Sequence, residues 1–332
     1  MCKGNPAGRL YIANIFANLK WKGINRPLHP EKGPGARVAT DAIAIRVQNL
    51  GKCYHIYDTP RDRLKSHTTA MSAKISAFLH ELYGSRNVLS RLVSQQLILR
   101  YRRTVLGYLW TLINPLLMMS IMALVFATLF KADLKTFSIF LFAGVIPWNF
   151  FSAVVTQSGA SFINNEGLIK KIYLPKVVFP LSVACALLID SVFSFLALFV
   201  IILAIGGSLS WSVLFIPVAF LLLFFFALGV GLIMSIATVF FRDLQHVILI
   251  VMQGLFFLTP VIYGPEALAG KAGWLIRLNP VVPFIDLFRA PLTQAAFPGT
   301  GVILQATAIS FSAMAVGLFV FLRQEKKVVF RL

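Results

Sequence analysis

The sequence predicts an all-α polytopic membrane protein: six transmembrane helices, an N-terminal amphipathic interface helix, and re-entrant or interfacial helices before the last span. Three observations carry that prediction. Hydrophobic residues make up 58% of the chain and charged residues 13%, with a mean hydropathy of +0.79, whereas soluble domains carry about 25% charge. Six apolar segments follow residue 111, and about 20 such residues suffice to cross a bilayer. The positive charge also alternates between connections. Of the 31 Lys and Arg, all except Lys131, Lys135, Lys271, Arg277 and Arg289 fall in the N-terminal arm, in alternate connections or in the C-terminal tail. Such a split is how positive charge fixes orientation, and it places both termini in the cytoplasm. It also argues against nucleic acid as the partner of the net +19 charge.

Residues 1–70 read as an extension. The first 42 are rich in Gly, Pro and Lys and lack periodicity, as in Arg26-Pro27-Leu28-His29-Pro30. Residues 43–50 alternate like a half-buried strand. Residues 43–65 resemble the opening of an ABC ATPase subunit, in which a tyrosine near Tyr54 stacks on adenine. No Gly-x-x-x-x-Gly-Lys-Ser/Thr loop follows anywhere in the chain, so phosphates have no cradle. The block reads as a vestige, a fusion scar or a misplaced start, with Met71 as the alternative start, and not as a nucleotide site. Cys2, Cys53 and Cys185 are widely spaced and form no metal or disulfide pattern. The first long apolar run begins near Leu112, too late for a cleavable signal peptide.

Residues 71–111 form the interface region. From Val88 to Tyr108 apolar residues recur at Leu89, Val93, Leu97, Tyr101 and Val105, with Arg91, Gln95, Arg102 and Arg103 elsewhere on the circumference. Leu92, Leu99 and Leu106 interrupt the polar side. Arg100, Arg102 and Arg103 then lead through Tyr108 and Trp110 to Asn114-Pro115 and continuous hydrocarbon. Arginine prefers water and phosphate, and aromatic rings with a polar edge prefer the headgroup layer, so the order traces a path from cytosol to bilayer.

The transmembrane domain spans 112–322. Its segments are Leu112–Phe130, Phe137–Phe162 (interrupted at Ile146-Pro147-Trp148), Val177–Ile205, Ser212–Phe241, His246–Tyr263 and Val302–Leu322. Residues 164–176 form a cytoplasmic connection with a short helix-like centre. Residues 264–301 form an outside connection too apolar to be solvated, split by Asn279-Pro280. Such backbone satisfies itself inside protein or lines a cavity. Residues 323–332 are a basic cytoplasmic tail. Ala227, Gly231 and Ser235, four apart, form a face for close helix packing. Asp190 is the ionisable residue deep in a span; at about 3 kcal/mol against insertion, it faces protein or water, as a helix-packing or channel-wall residue. Phe126, Phe130, Trp148, Phe256, Phe257 and Tyr263 cluster toward the ends of spans one, two and five. Their rings suit the C–H faces of sugars along a conducting path.

Several stretches together resemble the permease subunit of type-2 ABC exporters, in the branch that exports O-antigen, capsule and teichoic-acid polysaccharides. These are residues 100–115, Phe142-Ala-Gly-Val-Ile-Pro-Trp148, residues 165–175, and Asn279-Pro280 through Arg289. The resemblance covers roughly residues 75–325. It implies a homodimer in the bacterial inner membrane with two separate ABC ATPase subunits beneath, which bind the ATP and Mg²⁺; this chain holds no cofactor or metal of its own. It implies an undecaprenyl-linked polysaccharide as substrate. Asn165, Glu166, Gly167, Leu168, Lys170 and Lys171 would form the coupling helix seated on the ATPase. Arg100, Arg102 and Arg103 would lie near lipid phosphates or the substrate's pyrophosphate, which arginine forks bidentately.

Two rival functions stay open at this level. A membrane enzyme acting on polyprenyl-linked sugars needs an acidic pair, yet the outside acids Asp133, Glu266 and Asp286 are scattered, and no HExxH or Cys/His cluster occurs. An exporter of drugs or simple lipids would keep the same fold.

Overall fold

The computed structural model describes residues 81–101, 106–131, 133–171, 174–204, 210–264, 273–328 and 331. The chain divides into two units at Ala73/Lys74, and the described residues belong to the second. The extension 1–70, with its strand and ATPase-like block, lies outside the described residues, as do Arg102 and Arg103. The helices are α1 (Arg86–Tyr101), α2 (Trp110–Phe130), α3 (Leu134–Asn164), α4 (Glu166–Lys171), α5 (Val178–Ala204), α6 (Ile216–Phe240), α7 (Leu244–Leu258), α8 (Gly273–Leu278), α9 (Val282–Thr293) and α10 (Thr300–Val328). No strand occurs among the described residues.

Four helices are long and apolar enough to cross a membrane: α3, α5, α6 with its leading 3₁₀ turn, and α10. Shorter apolar stretches run over Leu116–Phe130 in α2 and over Leu244–Leu258, the whole of α7. At 1.5 Å per residue the 15 residues of α7 reach only about 22 Å. The fold is therefore that of a helical polytopic membrane protein. Residues 264–301 contain two short helices, α8 and α9, separated at Asn279-Pro280 as the sequence indicates.

Two expectations are corrected. Helix α3 runs unbroken for 31 residues through Pro147, where the sequence suggested an interruption. Proline removes one backbone donor, and inside an apolar bundle the neighbouring turns and helices hold the segment helical. Helix α1 ends at Tyr101 instead of continuing to Tyr108, and Gly107 takes a left-handed φ of +51° before the 3₁₀ turn Gly107–Leu109. Along α1 the residue that buries is Leu92, at 6% exposure, which the periodicity had placed on the polar side. Gln96, one turn on, donates its Nε2 to Ser182 Oγ at 3.0 Å, so this face of α1 is the one docked on α5.

The ends of the helices sort into two groups. Glu166, at the start of α4, lies near enough to Arg242 in the α6–α7 turn for that cation to help hold its carboxyl low. The Arg331 guanidinium lies 5.1 Å from the Phe240 ring centre. With the Gln96–Ser182 bond, these contacts gather α1, α4, the α6–α7 turn and the C-terminus at one end. The α2–α3 turn lies at the far end of α3. So does the lead into α6, where Ser212 Oγ donates to Pro291 O at 3.4 Å. The basic connections thus share one end of the bundle.

The core is built on small-residue crossings and stacked rings. Gly231 sits against Ser158, Gly159 sits against Thr238, and the Thr238 hydroxyl donates to the Gly159 carbonyl. Ala227 and Ser235 on the same stripe are fully buried, so α6 presents its small face to α3. Phe151, Phe226 and Phe284 stack in sequence at 4.9 and 4.8 Å, joining α3, α6 and α9. Phe220 and Phe288 meet edge-on at 4.8 Å. Helix α9 buries Phe284, Ile285, Leu287 and Phe288 completely. That burial accounts for the apolar character of α9, which is protein core, whereas Trp274 and Leu278 on α8 stay exposed.

At the α2–α3 turn, Lys131 closes α2 in a left-handed conformation, and Asp133 caps α3 by accepting from Thr136 N at 3.0 Å and Thr136 Oγ1 at 2.9 Å. The two bonds, backbone first, hold the Asp133 carboxyl below the ordinary range. A depressed folded value means stabilisation that is complete above the unfolded value and lost as pH falls through the folded one. Asp133→Ala should lower the melting temperature at pH 7, with the gap from wild type closing in acid; an equal melting temperature at pH 7 would count against the cap.

Candidate functional site

The connection between α3 and α5 is built as a short, anchored, charged knuckle. Asn165 bridges α3 and α4: its Nδ2 donates to Ser161 O at 2.8 Å, and its own carbonyl accepts from Leu168 N and Ile169 N, both at 3.0 Å. Leu168 and Ile169 are half-buried against the core, while Gly167, Lys170 and Lys171 are exposed. Lys170 Nζ meets Glu166 Oε1 at 2.5 Å, an i,i+4 pair in the favoured acid-first order. The hydrogen bond from Lys170, then its charge, and more weakly Arg242 hold the Glu166 carboxyl low. Being solvent-screened, the pair adds little stability. What it does is keep α4 helical with its lysines presented outward.

The aromatic residues fall into two runs. At the α2–α3 end, Phe126, Phe130, Phe137 and Phe140 follow one another with centroids 5.8–6.1 Å apart. The second run passes from Phe257 through Phe256 to Trp148 at 5.5 and 5.6 Å, then to Phe151 at 6.1 Å and into the core stack. Trp148 is 4% exposed, so within one protomer it is a core ring. Phe130 and Phe257 are exposed, Phe126, Phe256 and Tyr263 intermediate, and the Tyr263 hydroxyl donates to Phe257 O at 2.8 Å. Trp110 is exposed at the start of α2. Asp190 is half-buried on α5, and its carbonyl accepts from Ser194 Oγ at 3.0 Å. Among the described residues no group of His, Cys, Asp and Glu is placed to hold a metal ion.

One cluster was not legible as such in the sequence. Arg289 on α9 is 5% exposed. Its Nη2 donates to Val261 O at 2.6 Å, and its Cζ lies 3.8 Å from the Phe140 ring centre. Asn279 reaches the same turn: Nδ2 donates to Thr259 Oγ1 at 2.7 Å, while Oδ1 accepts from Val281 N at 3.0 Å. The turn after α7 is therefore held from both ends of the Asn279–Arg289 segment, against α3. The signal available in the sequence was Asn279-Pro280 followed by a lone arginine in an apolar stretch.

Comparison with known proteins agrees with this architecture. Residues 87–293 match the model of the ABC-2 type transporter family. The O-antigen export system permease protein RfbA of Myxococcus xanthus is 31% identical over 234 residues, covering 70% of this chain and 90% of that protein. An O-antigen export system permease protein RfbA of Klebsiella pneumoniae is 31% identical over 256 residues, covering 72% of this chain and 95% of that protein. The polysialic acid transport protein KpsM of Escherichia coli is 24% identical over 231 residues, covering 65% of this chain and 82% of that protein. The family match runs from the second residue of α1 to the end of α9, and the chain belongs to the ABC-2 type transporter family.

Proposed function

We propose that the chain is the path-forming membrane subunit of an ATP-driven exporter that moves lipid-linked polysaccharide out of the bacterial cytoplasm. The observation that carries this is the end-to-end similarity to two O-antigen export permeases, over 90% and 95% of their lengths. Two copies form the path across the inner membrane, each crossing six times with both termini inside, and two separate ATPase subunits supply the work. The lipid carrier is undecaprenyl pyrophosphate, met by Arg100, Arg102 and Arg103. Support for six crossings comes from α2, whose 21 residues reach about 31 Å, and from the gathering of the basic connections at one end. Residues 1–70 contribute nothing to transport.

Coupling follows from the shape of α4. A helix fastened to α3 through Asn165 and to the core through Leu168 and Ile169 moves with the span behind it. Its exposed Lys170 and Lys171 pair with acidic groups on the ATPase, so motion of the motor becomes tilt of α3 and α5. The test is charge reversal. Lys170→Glu with Lys171→Glu should lower co-purification with the ATPase and its stimulated turnover by at least tenfold, as expected when like charges meet across an interface. Wild-type co-purification and turnover would refute the coupling role.

A further inference from the structure

A cavity of about 790 Å³ opens at the α4 end of the bundle, between α1, α3, α5 and the start of α7. Among the described residues six carboxamides line it: Gln95 and Gln96 from α1, Gln157 and Asn164 from α3, Asn165, and Gln245 from α7. Among the described residues, none of those lining it is acidic, basic or histidine. The apolar remainder includes Leu92, Leu99, Val183 and Leu249. Gln96 and Asn165 spend their Nδ/Nε donors on Ser182 and Ser161, and Gln245 Nε2 is buried with no hydrogen-bond partner among the described residues.

The polar lining does not stop at the cavity. Asn149, exposed in the middle of α3, shares a face with Thr156 and Asn164 at helical spacing. From Asn149 to Asn164 this stripe is about 22 Å long. Polar groups on a spanning helix face protein or a water-filled space, since lipid cannot satisfy them. Carboxamides both donate and accept, as sugar hydroxyls do. Interleaved leucines suit the apolar faces of the rings. An anionic sugar would lose its hydration here and find no cation to pair with among the described lining residues.

From this juxtaposition we infer that the carboxamide groove is a binding subsite for uncharged, hydroxyl-rich sugar units of the exported chain, and that the Asn149–Asn164 face is the start of their track. The inference rests on the polysaccharide-export function proposed above and adds the selected class: neutral sugars over acidic ones. Asn164 and Asn165 line the groove and lead directly into α4, so an occupant touches the segment that meets the motor.

The test uses the assembled permease–ATPase complex in vesicles, with Cys2, Cys53 and Cys185 replaced by Ser and Thr156→Cys introduced in the groove. The probes are the glycan of the producing cell, released from its lipid, and an oligosialic acid of equal length; a producing cell whose exported glycan is itself acidic would overturn the inference. The neutral probe should slow alkylation of the introduced thiol at least fivefold, and oligosialic acid at the same concentration should not. Gln157→Leu with Gln245→Leu should raise the neutral probe's dissociation constant at least tenfold. Equal protection by both probes, protection by neither, or a thiol already unreactive because the second copy covers it would overturn the inference. The two proposals separate in cells: failure of the wild-type chain to restore surface glycan to a strain lacking it sinks the export function. Restoration to the wild-type level by Gln157→Leu with Gln245→Leu sinks the groove alone.

Discussion

Alanine at Gly229 or Gly317 should leave little folded protein after extraction into mild detergent. A Cβ on Gly229 would lie 2.5 Å from both the carbonyl carbon and oxygen of Ala313, and one on Gly317 would overlap the Gly229 carbonyl. Every obstructing atom is backbone, so no rotamer change relieves the clash; α6 and α10 must separate along their contact. Overpacking costs about 1–3 kcal/mol where side chains can adjust, and this crossing belongs at or above the upper figure. In lipid the loss is compounded, because helix association there depends on close van der Waals packing more than on water expulsion. Gly254→Ala is the control: nothing lies within 4 Å of its Cβ position, and alanine favours the helix by about 1 kcal/mol. Thermal melting of the three variants side by side checks this, and a Gly229→Ala protein melting with wild type would refute the crossing.

The second large effect is expected at Arg289. Arg289→Met removes the 2.6 Å bond to Val261 O and the stack on Phe140, leaving a buried carbonyl short of a donor. A charge-assisted bond contributes about 1.5–3 kcal/mol and a desolvated cation–π contact about 2 kcal/mol, so a loss of about 3 kcal/mol is reasonable. Arg289→Lys should restore little, since lysine has no planar group to lie on the ring while its tip reaches the carbonyl. Gly144→Val should mimic the loss from the other side, because a Cβ there would stand 2.9 Å from Arg289 Nη2. Faster hydrogen exchange across residues 259–263, together with a lower melting temperature, is the expected signature; Arg289→Met with wild-type exchange in that turn would contradict the account.

Much of the helical architecture was legible because bilayer thickness and hydrogen-bond demand impose a coarse, strong signal. Continuous apolar runs gave the span-length helices, alternating lysines and arginines gave the shared basic end, and Asn279-Pro280 gave the break between α8 and α9. Features set by which residues meet were less legible. Leu92 was assigned to the polar side of α1 because period alone does not say where the partner helix docks; the Gln96–Ser182 bond decides it. Gly229 and Gly317 are 88 residues apart, and no local pattern announces that they touch. Pro147 looked like a break because proline rules drawn from isolated helices omit the packing around α3. Trp148 and the other rings carry a preference for surfaces and sugars, but tertiary packing put Trp148 inside the protomer. Within the candidate site, the charged connection 164–176 with its short helix-like centre was readable from the residues, while the segment Asn165–Lys171 was singled out by the family resemblance. The carboxamide groove was not readable, since its glutamines and asparagines come from four separate stretches.

The measurement that bears most directly on the whole account is reconstitution of the purified chain in sealed vesicles with ATP and lipid-linked glycan, with and without its partner ATPase. The account predicts no ATP hydrolysis and no glycan movement from the chain alone, and both once the ATPase is added. Hydrolysis or translocation by the chain alone would contradict it.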